Sequence, residues 1–299
     1  MLKEEQDKQA PPRQGGRGRT HPTMTDVEFQ LLAELVRKHT GIHLPPHKKA
    51  LLKSRLAGRI RDLGLTSYLA YQKRLKDPAF VQAEVAELTD AITTNLTSFF
   101  REPHHFDHLR EYLRSHAQAG VRVRILCAGC SEGMEPYSAA IVATDCLGIS
   151  ALERISIVAM DIDRGALQAA RKAVYDNKDV RMMDQGLLRA GFQRGRGAHE
   201  GKVRVKESVS RLVQFHELNM VTESLSPLGE FDIIFCRNVL IYFDPPTRTE
   251  VVRKLAAQLR PGGFIYLGHS ESIKALGLTG WRTLGTTIYQ PGSGREEKG

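Results

Sequence analysis

The residues best suited to hold a ligand form one short run, Cys127-Ala-Gly129-Cys130-Ser-Glu132-Gly133-Met134-Glu135-Pro136. An apolar stretch, residues 121–126, leads into it, and Pro136 stands near the start of an expected helix, where a missing N–H costs nothing. A strand, a glycine turn and a helix N-terminus in succession let backbone amides approach a ligand closely. The spacing of Gly129 and Gly133 departs from G-x-G-x-x-G, so the usual dinucleotide fingerprint is absent. On its own, such a turn is more often a tight connection than a cofactor site.

Three further strand ends supply polar groups. Asp161 and Asp163 close a second apolar run, where an acid is well placed to accept both hydrogen bonds of a ribose diol. Asp163 fits better as the cap of the next helix, which leaves Asp161 for the ligand. Asn219 and Asn238 end two more runs and offer amides to a base or an amino-acid carboxylate, though isolated asparagines are more often turn residues. Four polar strand ends around one glycine turn fit a nucleoside cofactor. Phosphate-loop, Ser-His-Asp and metal-ligand patterns do not compete. Cys127 and Cys130 form a lone C-x-x-C with no second pair or paired histidines, so no metal is expected.

These positions require an alternating α/β framework. Strands are expected at 121–127, 155–160, 212–216, 231–236, 264–267 and 286–289, and helices at 137–147, 164–173 and 246–259. The pattern predicts an open, mostly parallel sheet with helices on both faces, in a domain spanning 121–292. Its last two strands, joined by a long loop, are expected to form an antiparallel edge pair. Between about 176 and 210 a Gly- and Arg-rich segment interrupts the rhythm, and the alternation of Val203 and Val205 predicts a small β-hairpin insertion.

Ahead of this domain, residues 23–93 read as four helices, the first capped at Thr25-Asp26 and closed by Gly41. Residues 94–120 form a linker, and 1–22 and 293–299 read as tails, the first disordered. Between His47 and Lys76 stand nine Lys or Arg residues and one acid, Asp62. Lys49, Lys53 and Arg59 can share one helical face, with Arg55 nearby, a surface suited equally to solvent or to an acidic partner.

Composition sets outer limits. A hydrophobic content of 41% and a charged content of 26% are ordinary for a globular chain. The longest apolar runs fall short of the roughly 20 residues that span a bilayer. The polar N-terminus lacks a secretory h-region, and four cysteines in apolar or turn contexts suit reduced thiols in a cytoplasm. A net charge of +9 favours an acidic partner without specifying nucleic acid, and aromatics are not interleaved with the bases.

The resemblance that unites these features rests on an ordered set of motifs. They are Thr94-Asn95-Leu-Thr97-Ser-Phe-Phe-Arg101-Glu102, Gly133-Met-Glu135-Pro-Tyr-Ser138, Asp161-Ile-Asp163, Cys236-Arg-Asn238-Val-Leu-Ile-Tyr242-Phe-Asp244 and Gly268-His-Ser-Glu271. In that order, over about 24–290, the chain resembles the CheR family of chemotaxis receptor methyltransferases. The resemblance implies an α/β, Rossmann-like class I methyltransferase with a small helical N-terminal domain and a small β-subdomain. It implies methyl transfer from S-adenosylmethionine to receptor glutamates, with S-adenosylhomocysteine as product and no metal.

Carried across by motif, Asn95, Thr97 and Arg101 look like cofactor contacts from the linker, Glu135 like the contact to the methionine part, and Asp161 like the ribose acid. Asn219 with Met220, and Asn238 with Val239, occupy the other cofactor positions. Arg101 and, second, Tyr242 are the residues expected to orient the substrate carboxylate. Met134 replaces the first of two acids the family often has, and Glu132 stands where a small residue is common. Lys49, Lys53, Arg55 and Arg59 would dock on the acidic helical region of a receptor. The insertion resembles that of members tethered to a receptor's C-terminal pentapeptide by strand addition, with Arg204 facing the peptide's acid or carboxylate. A cytoplasmic monomer that neither binds nucleic acid nor inserts into a membrane is expected. The basic charge and the fold also fit an RNA or small-molecule methyltransferase.

Overall fold

The structure is a computed structural model and describes residues 23–116 and 120–292; the expected tails lie outside the described residues. Helix α1 (Asp26–Thr40) starts at Thr25, whose hydroxyl accepts from Glu28 N while the Glu28 carboxylate accepts from Thr25 N at 2.7 Å. This reciprocal cap satisfies two otherwise orphaned donors. Gly41 closes α1 in the left-handed region. Helices α2 (Lys49–Asp62), α3 (Tyr68–Arg74) and α4 (Pro78–Ile92) follow. Leu32, Val36, Leu52, Leu56, Tyr68, Tyr71 and Leu88 form their common buried core.

Helix α5 (Pro103–His116) leads to β1 (Val123–Ala128), α6 (Met134–Leu147), the short α7 (Ala151–Arg154), β2 (Ile155–Asp161) and α8 (Arg164–Lys172). An insertion comprising β3 (Val174–Asp176), α9 (Gln185–Gly191), β4 (Phe192–Arg194), β5 (Lys202–Val205) and α10 (Glu207–Ser210) follows. The chain then forms β6 (Val213–Glu217), β7 (Phe231–Cys236), α11 (Pro245–Ala256), β8 (Leu259–Leu267), β9 (Trp281–Gly285) and β10 (Ile288–Pro291). The main sheet has seven strands in the order β6-β2-β1-β7-β8-β10-β9. Pairings among β6, β2, β1, β7 and β8 are parallel, whereas β10 runs antiparallel to both neighbours.

The inner parallel strands β2, β1 and β7 are buried on both faces, which explains their largely apolar runs, whereas β6 at the sheet edge is partly exposed and more polar. On β1, Val123, Ile125 and Cys127 enter a layer with α5 and α6, while Leu126 and Ala128 enter the layer under α11. The sheet therefore separates two cores and brings the carboxyl ends of its parallel strands to one edge.

Two expectations need correction. The segment before β10 contains β9, an exposed edge strand whose mixed polarity, Trp281-Arg-Thr-Leu-Gly285, carries no buried-strand pattern. The insertion is a three-stranded antiparallel sheet rather than a hairpin: β5 lies in the centre, because β3, directly after α8, pairs along it through Val174 and Arg204.

Candidate active site

The glycine turn after β1 is pinned to the end of β2. Gly129 N and Cys130 N both donate to the Met160 carbonyl, at 2.8 and 3.0 Å. Ser131 N donates to Asp161 Oδ2 at 2.7 Å, and Asp163 N donates to Asp161 Oδ1 at 2.9 Å. Asp161 is buried, and desolvation pushes its pKa up while these backbone donors oppose the shift. Each carboxylate oxygen has two lone pairs, so both retain capacity for a diol. Asp163 caps α8 through Ala166 N at 2.8 Å, the role its position predicts.

Gly129 adopts φ +80°, and a Cβ there would lie 2.2 Å from Val239 Cγ2. The turn thus needs glycine both for its conformation and for the close approach of the loop after β7. Four non-glycine residues with positive φ surround the same edge: Phe100, Glu102, Ser131 and Asn238. Such backbone strain persists only where the surroundings over-determine it, and it clusters at functional sites.

Glu135 stands in the first turn of α6, where the helix dipole favours an anion. Its Oε2 lies 3.1 Å from Arg237 Nη1 and the Cys127 thiol lies against the carboxylate, while Oε1 is buried with no partner in hydrogen-bond geometry among the described residues. Burial pushes the Glu135 carboxyl up to about 7 against the pull of Arg237. An unpartnered buried acceptor beside a glycine turn fits a ligand ammonium, the group carried by the methionine end of S-adenosylmethionine.

The linker reaches this edge from the other side. Asn95 Nδ2 donates to Asp163 Oδ2 at 2.7 Å, and its Oδ1 accepts from Ser131 Oγ at 3.1 Å. Phe100 N donates to Ser138 Oγ on α6. Thr97 is half-buried, with no protein hydrogen bond to its side chain among the described residues. Arg101 Nη1 donates to the Leu96 carbonyl at 3.1 Å and forms no ion pair among the described residues.

Other expected site residues have further work. Asn238 is held by Glu271, whose Oε2 accepts from Asn238 N at 3.0 Å and Gly268 N at 2.7 Å. The Asn219 side chain is committed: Nδ2 donates to the His39 carbonyl at 2.8 Å, and Oδ1 accepts from Val221 N. Met220 is buried beneath α11, and Val239 packs against the same layer. Tyr242 contacts both that layer and the helical-domain core, and its carbonyl accepts from His43 N at 2.8 Å.

The basic helix differs from expectation. Arg59 donates to both oxygens of Glu84, which is 1% exposed and also accepts from Tyr71 OH at 2.8 Å. Arg55 donates to the Thr93 carbonyl and to Thr94 Oγ1. Lys49 pairs with Asp26 at 2.7 Å, while Lys53 has no acidic partner among the described residues. Arg59 and Arg55 therefore hold α2 to α4 and the linker. Arg204 is exposed on β5.

Three residues without an assigned role prove central: Arg237, Glu102 and Glu271. Arg237 was visible only as a charge closing an apolar strand. Glu102, His104 and His105 bring donor atoms within 4.8 Å of one another, with the Arg237 guanidinium 3.3 Å from Glu102. Two surface cavities lie apart from the glycine turn. One, of about 350 Å³, is lined by Phe100, Asp107 and Met183, and the other, of about 750 Å³, by Leu31, Lys38 and Val81.

A parallel sheet with an antiparallel strand inserted at one edge, its strand ends carrying an acid and a glycine turn, defines a class I methyltransferase. The chain belongs to the CheR methyltransferase family. Residues 27–93 match its all-alpha domain and residues 95–285 its SAM binding domain. It is 42% identical to "Chemotaxis protein methyltransferase 2" of Pseudomonas aeruginosa, covering 89% of this chain and 94% of that protein. It is 37% identical to the "Chemotaxis protein methyltransferase" of Escherichia coli, covering 85% of this chain and 87% of that protein. The chain is accordingly an S-adenosylmethionine-dependent methyltransferase of the chemotaxis type. Among the described residues, no helix is long and apolar enough to cross a membrane.

Proposed function

We propose that this chain methylates glutamate side chains on the helical cytoplasmic region of chemotaxis receptors, forming glutamyl methyl esters for sensory adaptation. The observation that carries the reading is the bare, buried Oε1 of Glu135 beside the glycine turn, in a chain whose relatives are named chemotaxis methyltransferases. Bound S-adenosylmethionine supplies an electrophilic methyl on a sulfonium. Glu135 would bind its amino group, Asp161 its ribose, and Asn95, Thr97, Arg101, Asn219, Met220, Asn238 and Val239 the remainder.

The acceptor glutamate is ionised near neutral pH and needs no general base. Its oxygen forms the new O–CH3 bond as the methyl–sulfur bond breaks, so no proton moves. Catalysis then rests on in-line placement and on fixed groups replacing the carboxylate's water. Arg101 is the residue assigned to orient that carboxylate. Among the described residues its guanidinium donates to the Leu96 carbonyl and meets no acid, which leaves its charge uncompensated there. Tyr242 is assigned second, and its packing between two cores fits a supporting position better.

Of the four docking candidates, Lys53 has no acidic partner among the described residues, whereas Lys49, Arg55 and Arg59 already have partners within the protein. A receptor C-terminal pentapeptide would add along β3 or β4, the edges of the small sheet, with Arg204 exposed between them. The reading includes a cytoplasmic monomer. Labelled methyl transfer to receptor-bearing membranes tests it, with alkaline release of methanol as the expected result. Base-stable label, or no label despite cofactor binding, would sink the glutamyl ester.

A further inference from the structure

Arg237 is buried where the loop leaving β7 meets the linker. Its Nη1 lies 3.1 Å from Glu135 Oε2 and its Nη2 3.3 Å from Glu102 Oε2. Nη2 also donates to the Arg101 carbonyl, and the guanidinium stands 5.6 Å from the centre of the Phe106 ring. Arg237 thus touches the acid of α6 and linker residues 101 and 102 at once, the second of which has a positive φ. The fork consumes Oε2 of Glu135 and leaves Oε1 bare.

We propose that Arg237 is a positioning residue for cofactor capture: by holding Glu135 Oε2 and the Arg101 carbonyl together, it keeps Oε1 free for the amino group and helps set the charge Glu135 carries. The inference rests on reading Glu135 as the cofactor acid.

The groups facing Glu135 are few. Cys127 and Cys130 come from β1 and its turn, Cys236 from β7, Arg237 from the following loop, and Glu102 from the linker. Burial pushes all three thiols far up, so they stay neutral. His105 of α5 faces Arg237 and is lowered to about 3, chiefly by burial, so it is neutral as well. Burial is the largest influence on Glu135 and raises it. Of the charged neighbours Arg237 favours the carboxylate and Glu102 opposes it, and a hydrogen bond from the neutral Cys127 thiol adds a smaller pull toward the carboxylate.

The carboxyl is raised to about 7 in the folded protein, and binding an ammonium requires its ionised form. Affinity for S-adenosylhomocysteine should then rise as pH increases through that value and fall below it. Arg237→Met should move this rise to higher pH by about one unit, which is about tenfold in affinity at a fixed pH below the plateau. Glu102→Gln should move it the opposite way.

The test is calorimetric titration of the full chain with S-adenosylhomocysteine across roughly pH 5.5 to 8.5, the range bracketing the carboxyl. Glu135→Gln comes first. Unchanged affinity in that variant would refute Glu135 as the cofactor acid, and the inference with it. If Glu135→Gln weakens binding, opposite displacements in the two other variants support the role of Arg237. A uniform loss at every pH, or displacement in one direction for both, overturns it. Should Arg237→Met fail to fold, the downward displacement in Glu102→Gln, an isosteric change, decides the question alone.

Discussion

Arg59 donates to both oxygens of Glu84, whereas Lys53, on the same helix, has no acidic partner among the described residues. The difference is energetic as well as geometric. Removing one partner of a buried, hydrogen-bonded pair strands the other charge, at about 3–5 kcal/mol; with Arg59 23% exposed on its side chain, the lower end applies. Arg59→Ala should therefore lose about 3 kcal/mol in urea unfolding, and Lys53→Ala no more than about 0.5 kcal/mol. Similar small losses for both would show that Arg59 is a surface charge after all. At this scale the sequence displayed residue type but not partner. A basic helix is visible in the order of residues, but the buried Glu84 that claims Arg59 is 25 positions away. Arg237 went without a role for the same reason: its partners Glu102 and Glu135 come from separate segments.

Among the elements, the turn between β1 and α6 was legible because a close turn demands glycine at fixed positions. Asp161 and Asn238 were legible because parallel strands end along one edge. The edge strand β9 and the pairing of β3 with β5 were not, since exposed strands carry no apolar run and strand partners depend on tertiary placement. The turn itself can be tested by substitution. Gly129→Ala places a side chain at φ +80° and 2.2 Å from Val239 Cγ2. The left-handed conformation alone costs about 1–2 kcal/mol, and displacing Val239 adds to it. Weaker S-adenosylhomocysteine binding and lower stability are expected in Gly129→Ala. The double variant with Val239→Ala should recover stability in part, down to the conformational cost. No recovery would mean that the loop after β7 does not press on the turn.

For the whole molecule, the helical domain is fastened to the loops that form the site. Arg37 Nε pairs with Asp244 at 3.2 Å, His43 N donates to the Tyr242 carbonyl, and Gly41 packs on Val221 so closely that a Cβ would lie 2.6 Å from its Cγ2. On the other side, Thr93 Oγ1 donates to Asp163, and Arg164 N donates to Asp90. The surface ion pair contributes little, so the tight packing and shared backbone hydrogen bonds carry the docking. The sequence marked Gly41 as a helix end; nothing in it revealed that the same residue faces Val221.

The hydrogen bond from Asn219 to the His39 carbonyl has a thermodynamic consequence. A ligand that orders the loop after β6 also protects the last turn of α1, since one side chain belongs to both. Occupancy then becomes measurable at a distance. With S-adenosylhomocysteine at 100 times its Kd, binding adds about 2.7 kcal/mol to the folded state, and slower amide exchange is expected at Gly41 to His43. Exchange there that ignored the ligand would mean that each domain opens independently of the other.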